Sequence, residues 1–284
     1  MKKIKISKWV FPQILLFFAI DMGGKLVFAF IFIIAHEFFH YLIAKKLGNN
    51  ILDFKVHVLG ATLQIEDYEG LDLNDEIIIC LAGPVFNLIA GGVSFCLYKF
   101  YGEVFLLNIF EVNMVLGLLN LLPAYPLDGA KILRAILSKI FMYKKAHKIV
   151  MCISFSISVI FILLGAFLIT IDFASINILI VGLFILYTTY TTKGRTMYIV
   201  LDQIIKKNKR FKKNTYIDNK DISVYYKGDF IKLLNMVEKN KFNTFHILND
   251  NMELLYEIRE DEVVDVLKNK GNMSLEEYYN KQIK

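Results

Sequence analysis

Proline and cysteine are both scarce in this chain, with four prolines and three cysteines among 284 residues. Cys80, Cys96 and Cys152 each lie within an apolar run, and no CxxC or other paired spacing is present. The three cysteines are therefore predicted to be packing residues, which excludes a disulfide framework or a thiolate metal site.

Charge is also limited, because charged residues make up 21% of the chain and hydrophobic residues 56%, with a mean hydropathy of +0.47. A soluble domain of this size needs more polar surface, so the composition indicates a membrane protein with a smaller soluble part. The net charge of +6 is modest, and most lysines lie at the ends of apolar runs or in the C-terminal third. That distribution suits a membrane surface, and no nucleic acid is expected as a partner.

Six apolar segments are candidates for crossing a membrane, for which a helix needs about 20 apolar residues, or about 17 in a tight fit. The first is the weakest, because it is short, contains Pro12 and ends at Asp21. It follows a basic start that resembles a signal peptide but has no small-x-small cleavage site, so a retained membrane segment is predicted. The fourth segment contains Glu111 in its middle. The alternative for this segment is a short helix that begins near Glu111, with an entry loop before it. The six segments are 9–24, 26–44, 76–98, 104–122, 149–171 and 174–191.

The lysines and arginines predict the orientation of these segments. With the N-terminus in the cytosol, the outside loops hold only Lys25 and Lys99. Six spans then give a multi-pass integral membrane protein with both termini in the cytosol. The inside loops hold the other basic residues near the spans, namely Lys2, Lys3, Lys5, Lys8, Lys45, Lys46, Lys55, Lys131, Arg134, Lys139, Lys144, Lys145, Lys148, Lys193 and Arg195.

Two regions outside the apolar segments have a different character. Between the second and third segments, Ile51 to Asn74 alternates apolar and polar residues around Gly60, which predicts a β-hairpin or re-entrant ribbon at the membrane face. After the sixth segment, residues 201–215 form a basic linker. The predicted domains are a membrane part over 1–200 and a soluble module over 216–284.

His36-Glu37-Phe38-Phe39-His40 is an HExxH motif within the second apolar segment. Residues four apart on a helix lie within roughly 40° of each other, so both imidazoles can reach one metal ion while Glu37 points beside it. Buried core histidines are the alternative. It is disfavoured because ionisable groups in an apolar helix are costly and usually mark a functional site.

A second polar feature is Asn120-Leu-Leu-Pro123-Ala-Tyr-Pro126-Leu-Asp128-Gly129, where two prolines must interrupt the helix. Asp128 lies on that interruption. It could be a third metal ligand, or it could cap the helix that begins near Gly129. Because a metal site needs a third protein ligand, HExxH elsewhere in the chain favours the ligand.

Asn87, within Gly83-Pro84-Val85-Phe86-Asn87, is a further polar residue in an apolar run. It could hydrogen-bond a neighbouring helix, or it could hold substrate or stabilise an oxyanion. The sequence alone leaves these two roles equal.

The three motifs HEFFH, AGPVFN and NLLPAYPLDG occur in the order seen in the site-2 protease family, and residues 25–195 resemble that family of intramembrane metalloproteases. Phe38-Phe39 is bulkier than the small residues often found inside the first motif. The resemblance implies six transmembrane helices, one zinc ion per chain and a membrane-associated protein substrate. By resemblance, the zinc ligands are His36, His40 and Asp128, the catalytic base is Glu37, and the residues supporting substrate or oxyanion are Asn87 and Asn120.

Within the family the chain resembles the sporulation branch, which has a C-terminal regulatory domain and implies a pro-sigma factor as substrate. From about residue 216 the order helix (Asp229 to Asn240), strand (Asn243 to Leu248), strand (Glu253 to Ile258) and helix (Glu260 to Lys268) resembles one cystathionine-β-synthase (CBS) repeat. Such modules often bind an adenine nucleotide through Ser or Thr three residues before Asp, but Arg259-Glu260-Asp261-Glu262 stands there. A small α/β module for dimerisation or substrate docking fits equally well.

The resulting fold class is an α-helical polytopic membrane protein with a small C-terminal α/β CBS-like cytosolic domain, and its predicted activity is zinc-dependent peptide hydrolysis. A metal transporter or metal-sensing membrane protein is the competing class, but transport requires ligand residues on several spans and at several depths in the membrane. An inactive scaffold is disfavoured because the whole HExxH motif and Asp128 are present. Inhibitory membrane partner proteins and a homo-oligomer are compatible with the resemblance, and the sequence does not decide either.

Overall fold

The computed structural model describes two compact units, one formed by Met1–Ala135 with Val150–Thr189 and the other by Ile136–Ile149 with Tyr190–Lys284. The residues described are 4–6, 24–49, 51–57, 60–65, 71–141, 143–172, 175–193, 211, 217–238 and 241–282.

Long apolar helices make up most of the first unit, and four of those described are long and apolar enough to cross a membrane. These four confirm the second to fifth predicted segments as helices. Helix α4 is short and amphipathic, and the apolar part of α6 is shorter than each of the four candidate membrane helices. Predicted segment 9–24 lies outside the described residues except for Gly24, so six spans stays a prediction. The helices are α1 (Lys25–Lys46), α2 (Leu73–Tyr101), α3 (Val104–Leu121), α4 (Asp128–Ile140), α5 (Tyr143–Ile169) and α6 (Ile176–Lys193).

Glu111 does not begin a short helix, because α3 runs from Val104 through it without interruption. Its carboxylate accepts a hydrogen bond from Lys25 Nζ at 2.6 Å, and Lys25 is the first residue of α1. A paired charge costs less in apolar surroundings than an isolated one. The partner on α1 therefore explains why α3 tolerates a carboxylate in its middle.

A three-stranded sheet contains the predicted hairpin. Strands β2 (Ile51–His57) and β3 (Gly60–Ile65) pair antiparallel, which confirms the hairpin. Strand β1 (Ile4–Ile6) adds to β2 in parallel, with Lys5 opposite Lys55. This first strand was not predicted, because a three-residue strand surrounded by lysines carries no periodic signal of its own.

The two bulky residues within HEFFH have different surroundings. Phe39 stacks on Phe86 of α2 with ring centroids 4.1 Å apart, and Phe38 is 39% exposed on the outer face of α1. Stacked aromatic rings bury large apolar area. The size of Phe39 is therefore used to pack α1 against α2.

The irregular chain between α3 and α4 has its backbone satisfied by side chains from later helices. Ser154 of α5 accepts a hydrogen bond from the Tyr125 N–H at 2.9 Å, and Thr188 of α6 donates one to the Tyr125 carbonyl at 2.9 Å. Backbone outside a helix is tolerated at membrane depth only where protein or water supplies such partners. These two hydroxyls hold the segment that leads into Asp128.

The second unit contains a sheet of order β4-β5-β6, in which β4 pairs parallel with β5 and β6 antiparallel with β5. Phe230, Phe245 and Ile247 lie at the centre of its apolar core, which also includes Tyr143 from the start of α5. The elements are β4 (Asn219–Tyr225), α7 (Phe230–Met236), β5 (Phe242–Leu248), β6 (Leu254–Arg259), α8 (Glu260–Lys270) and α9 (Leu275–Gln282).

The predicted order of helix, strand, strand and helix in this module is confirmed, but with two corrections. Helix α7 ends at Met236, before the predicted Asn240, and β4 and α9 were not predicted. Glu260 is buried and its carboxylate accepts hydrogen bonds from the Asn243 side chain and backbone at 2.6 and 3.2 Å. This residue therefore has a structural role. The CBS assignment stays a prediction, and the predicted linker 201–215 lies outside the described residues except for Phe211.

Candidate metal centre

Three buried side chains from two helices converge in the first unit. Nε2 of His36 and Nε2 of His40 lie 3.0 Å apart, and Oδ2 of Asp128 lies 3.2 Å from the first and 3.0 Å from the second. The two histidines are one turn apart on α1, and Asp128 is the first residue of α4. In the described part of the chain this is the one group of His, Cys, Asp and Glu side chains with metal-binding spacing.

The donor set fits zinc. Two imidazole nitrogens and one carboxylate oxygen are ordinary ligands of a catalytic zinc ion, which keeps its fourth position open. With ligands at about 2.0–2.1 Å, two corners of a zinc tetrahedron lie about 3.3 Å apart. The triangle formed by His36 Nε2, His40 Nε2 and Asp128 Oδ2 has sides of 3.0–3.2 Å, which is close to that spacing. His36, His40 and Asp128 can therefore hold zinc together.

His40 is oriented by a carbonyl of the neighbouring helix. Its Nδ1 lies 2.6 Å from the Ile79 carbonyl oxygen, so Nδ1–H donates and the Nε2 lone pair is left for a metal. Such an outer hydrogen bond fixes the tautomer and the ring orientation of a metal-binding histidine. Ile79 thus contributes through its backbone, which its side-chain type does not reveal.

Gly83 lets α2 approach these imidazoles closely. A Cβ atom placed there would lie 2.5 Å from His36 Nε2 and 2.5 Å from His40 Nε2, well inside van der Waals contact. Any larger residue at position 83 would therefore occupy the space in front of both ligand atoms. The glycine of the AGPVFN motif keeps that side of the centre open.

Asp128 is brought to the histidines by a tight turn between α3 and α4. A Cβ atom on Gly129 would lie 2.2 Å from the Leu121 carbonyl oxygen, so the two helices meet here with no room for a side chain. Among the described residues the Asp128 carboxylate contacts His36, His40 and Lys131, and no backbone N–H. This geometry favours the ligand over the helix cap.

Lys131 lies one turn along α4, and its Nζ donates to the second carboxylate oxygen, Oδ1 of Asp128, at 2.8 Å. Burial lowers the pKa of Lys131, but the charge of Asp128 raises it above its ordinary value, with further contributions from Cys80 and Glu37. Lys131 is therefore protonated at neutral pH.

Glu37 is half-buried beside the triangle and is not one of its three corners. It directly follows His36 on α1, so its carboxylate leaves the helix about a quarter-turn from the ligand face. From this position on the helix the carboxylate can reach the side of the metal position without being a ligand. A general base needs that placement.

The two asparagines predicted to support the site lie on different helices and outside the triangle. Asn87 is fully buried on α2, one turn beyond Gly83, and neither its Nδ2 nor its Oδ1 has a partner among the described residues. Asn120 lies in the last turn of α3, where its Nδ2 donates to the Leu116 carbonyl at 3.0 Å. Their roles toward substrate or oxyanion stay predictions.

Sequence reasoning missed three contributors to the centre, namely Gly83, the Ile79 carbonyl and the contact of Lys131 with Asp128. The i, i+3 spacing of Asp128 and Lys131 was the one available signal, since such residues are neighbours on a helix. Nothing in the sequence marks Ile79 or the space at Gly83, because both act through packing of α2 on α1.

Comparison with known proteins gives matches to one family. Residues 100–165 match peptidase family M50. The chain is 33% identical over 144 residues to zinc metalloprotease MJ0392 of Methanocaldococcus jannaschii, and 27% identical over 121 residues to stage IV sporulation protein FB of Bacillus subtilis. These alignments cover 49% and 41% of this chain, and 42% and 41% of the relatives, so the chain spans less than half of each relative's length.

A solved structure, the site-2 protease from Methanocaldococcus jannaschii, is 28% identical with a TM-score of 0.48, covering 63% of this chain and 87% of that one. The family match and the four apolar helices identify an integral membrane protein. The match of residues 100–165 to peptidase family M50 and the similarity to zinc metalloprotease MJ0392 and stage IV sporulation protein FB agree with the three motifs.

Proposed function

We propose that this chain is a zinc metalloendopeptidase that hydrolyses a peptide bond of a membrane-associated protein. The observation that carries the proposal is the convergence of the His36, His40 and Asp128 ligand atoms, and Glu37 follows His36 on the same helix. A transporter would use ligand groups at several depths along the spans. Among the described residues there is one metal-binding group, His36, His40 and Asp128, which supports the peptidase over the transporter.

The chemistry divides between the ligands and the base. Bound zinc supplies a Lewis acid that polarises a scissile carbonyl and acidifies water. Glu37 takes the proton of the attacking water and passes it to the leaving amine, as its place beside the ligands allows. His40, held by the Ile79 carbonyl, and Asp128, held by Lys131, keep the ligand atoms in place.

The proposed substrate is a regulatory precursor such as a sporulation pro-sigma factor. Homology to stage IV sporulation protein FB supports this choice. The substrate, inhibitory membrane partner proteins and a homo-oligomer remain proposals. No nucleotide is proposed for the C-terminal module, because Arg259-Glu260-Asp261-Glu262 lacks the Ser or Thr of the ribose contact, and Glu260 within it is buried and bonded to Asn243.

The function is tested by comparing membrane proteins of cells that carry the intact chain with those that carry Glu37→Gln, during growth and during sporulation. We expect one full-length membrane-associated precursor to persist only with the variant, because the base is absent while the ligands remain. Quantitative proteomics of the two membrane fractions measures it. Identical precursor profiles under both conditions would contradict the peptidase proposal, and a precursor other than a sigma factor would contradict the sporulation substrate alone.

The proposed topology has several membrane passes and places both termini in the cytosol. Lys45 and Lys46 end α1, and Lys144, Lys145 and Lys148 begin α5, and the positive-inside rule assigns both groups of lysines to the cytosolic side. Reporter domains fused after Lys8 and after Arg195 should therefore both report the cytosol. Reports from opposite sides would mean that residues 9–24 do not span.

A further inference from the structure

The two oxygens of the Asp128 carboxylate have different partners. Oδ2 faces the Nε2 atoms of His36 and His40 at 3.2 and 3.0 Å, and Oδ1 accepts a hydrogen bond from Lys131 Nζ at 2.8 Å. The Asp128 side chain is 9% exposed, so water has little access to compete for either oxygen. The carboxylate is thus held with one oxygen toward the ligand triangle and the other away from it.

The ammonium that holds Oδ1 is itself firmly placed. Lys131 and Asp128 are three residues apart on α4, which brings them to the same face of that helix. Helix α4 is fixed in turn by a buried ion pair between Arg134, one turn further, and Glu76 in the first turn of α2. α2 is the helix that also carries Gly83 and Ile79.

We infer that Lys131 is a positioning residue of the metal centre, which engages Oδ1 of Asp128 so that Oδ2 alone is presented to the metal. The inference rests on the proposed zinc site. A metal-binding carboxylate is ordinarily held by such an outer hydrogen bond, and its loss typically lowers metal affinity about 10–100-fold. Without Lys131 the carboxylate is free to rotate or to engage the metal with both oxygens.

Whether zinc affinity falls or rises when Lys131 is replaced distinguishes a positioning role from a purely electrostatic one. A cation near the site repels Zn²⁺, so removing the charge of Lys131 without any positioning role would strengthen zinc binding. An exposed i, i+3 ion pair with no link to the metal would change the affinity hardly at all. Only the positioning role predicts weaker binding.

The experiment measures zinc affinity of the full-length purified chain by chelator competition, for the intact protein and for Lys131→Met, Lys131→Arg and Lys139→Met. We expect Lys131→Met to bind zinc about 10–100-fold more weakly, Lys131→Arg to recover most of the affinity because it still donates to Oδ1, and Lys139→Met to match the intact protein. Lys139 is the matched control, since it is an exposed lysine in the last turn of the same helix.

Cobalt replacing zinc gives a second readout that does not depend on activity, because its visible spectrum reports coordination geometry. Lys131→Met should shift the spectrum toward higher coordination, while Lys131→Arg keeps the spectrum of the intact protein. Zinc affinity and cobalt spectrum unchanged in Lys131→Met, or tighter zinc binding, would overturn the inference. An intact chain that binds no zinc would instead overturn the proposed function beneath it.

Discussion

Glu37→Gln is expected to keep about one zinc per chain and to lower the rate of peptide cleavage by about 10²–10⁴-fold. Glutamine has the size of glutamate but cannot accept the proton of the attacking water. The three ligand atoms belong to other residues and stay in their triangle. Zinc content by elemental analysis and single-turnover cleavage rates, measured on the same detergent-purified protein, check both parts of the prediction.

The ligands should show the complementary behaviour. His36→Ala and His40→Ala each remove one corner of the triangle, so both should lose zinc and, with it, cleavage. Asp128→Asn should also retain less zinc, whereas an aspartate that only capped α4 could be replaced by asparagine at little cost. An active Asp128→Asn protein with its full zinc content would remove Asp128 from the centre.

A matched control guards against a general effect of neutralising a carboxylate. Glu103→Gln makes the same chemical change at an exposed position just before α3, away from the triangle. It should leave both zinc content and rate unchanged. If Glu37→Gln lost its zinc as readily as His40→Ala, the division between ligands and base would be wrong.

Gly83→Ala is expected to lower zinc affinity by more than about 100-fold, beyond the range for losing one outer hydrogen bond. The added Cβ would lie 2.5 Å from both Nε2 atoms, and the contact can be relieved only by turning the imidazoles away. Because the atoms it meets are the ends of side chains, the helices themselves can stay in place. The variant should therefore fold normally and fail to bind metal.

Helix propensity alone predicts that Gly83→Ala stabilises the protein and leaves zinc affinity unchanged. Alanine in a helix interior is about 1 kcal/mol more favourable than glycine, so a glycine with no other function would be replaced with benefit. Gly92→Ala supplies the control, because Gly92 lies on the same helix and a Cβ there meets nothing within 4 Å. Chelator competition and thermal unfolding of both variants measure the two effects. Normal zinc affinity in Gly83→Ala would show that α2 does not approach the histidines as described.

The apolar runs and the HExxH motif could be read from the sequence because both depend on neighbours along one chain segment. Hydropathy over about 20 residues determines a membrane helix, and the spacing of His36 and His40 determines that they share one face. The tail order of α7, β5, β6 and α8 was also predictable from local periodicity. Strand β4 was not, since it begins with three consecutive polar residues and is ordered by parallel pairing with β5, a contact distant in sequence.

The sequence by itself determined which residue types are available for a metal, and it placed two of them on one helix turn. Only the tertiary structure brought Asp128 to His36, 92 residues away, within 3.2 Å. That meeting depends on close helix contacts at Gly83 and Gly129 and on the hydroxyls of Ser154 and Thr188 that satisfy the turn before Asp128. These contacts have no local signature, because a small residue or a hydroxyl gains its role only from what packs against it.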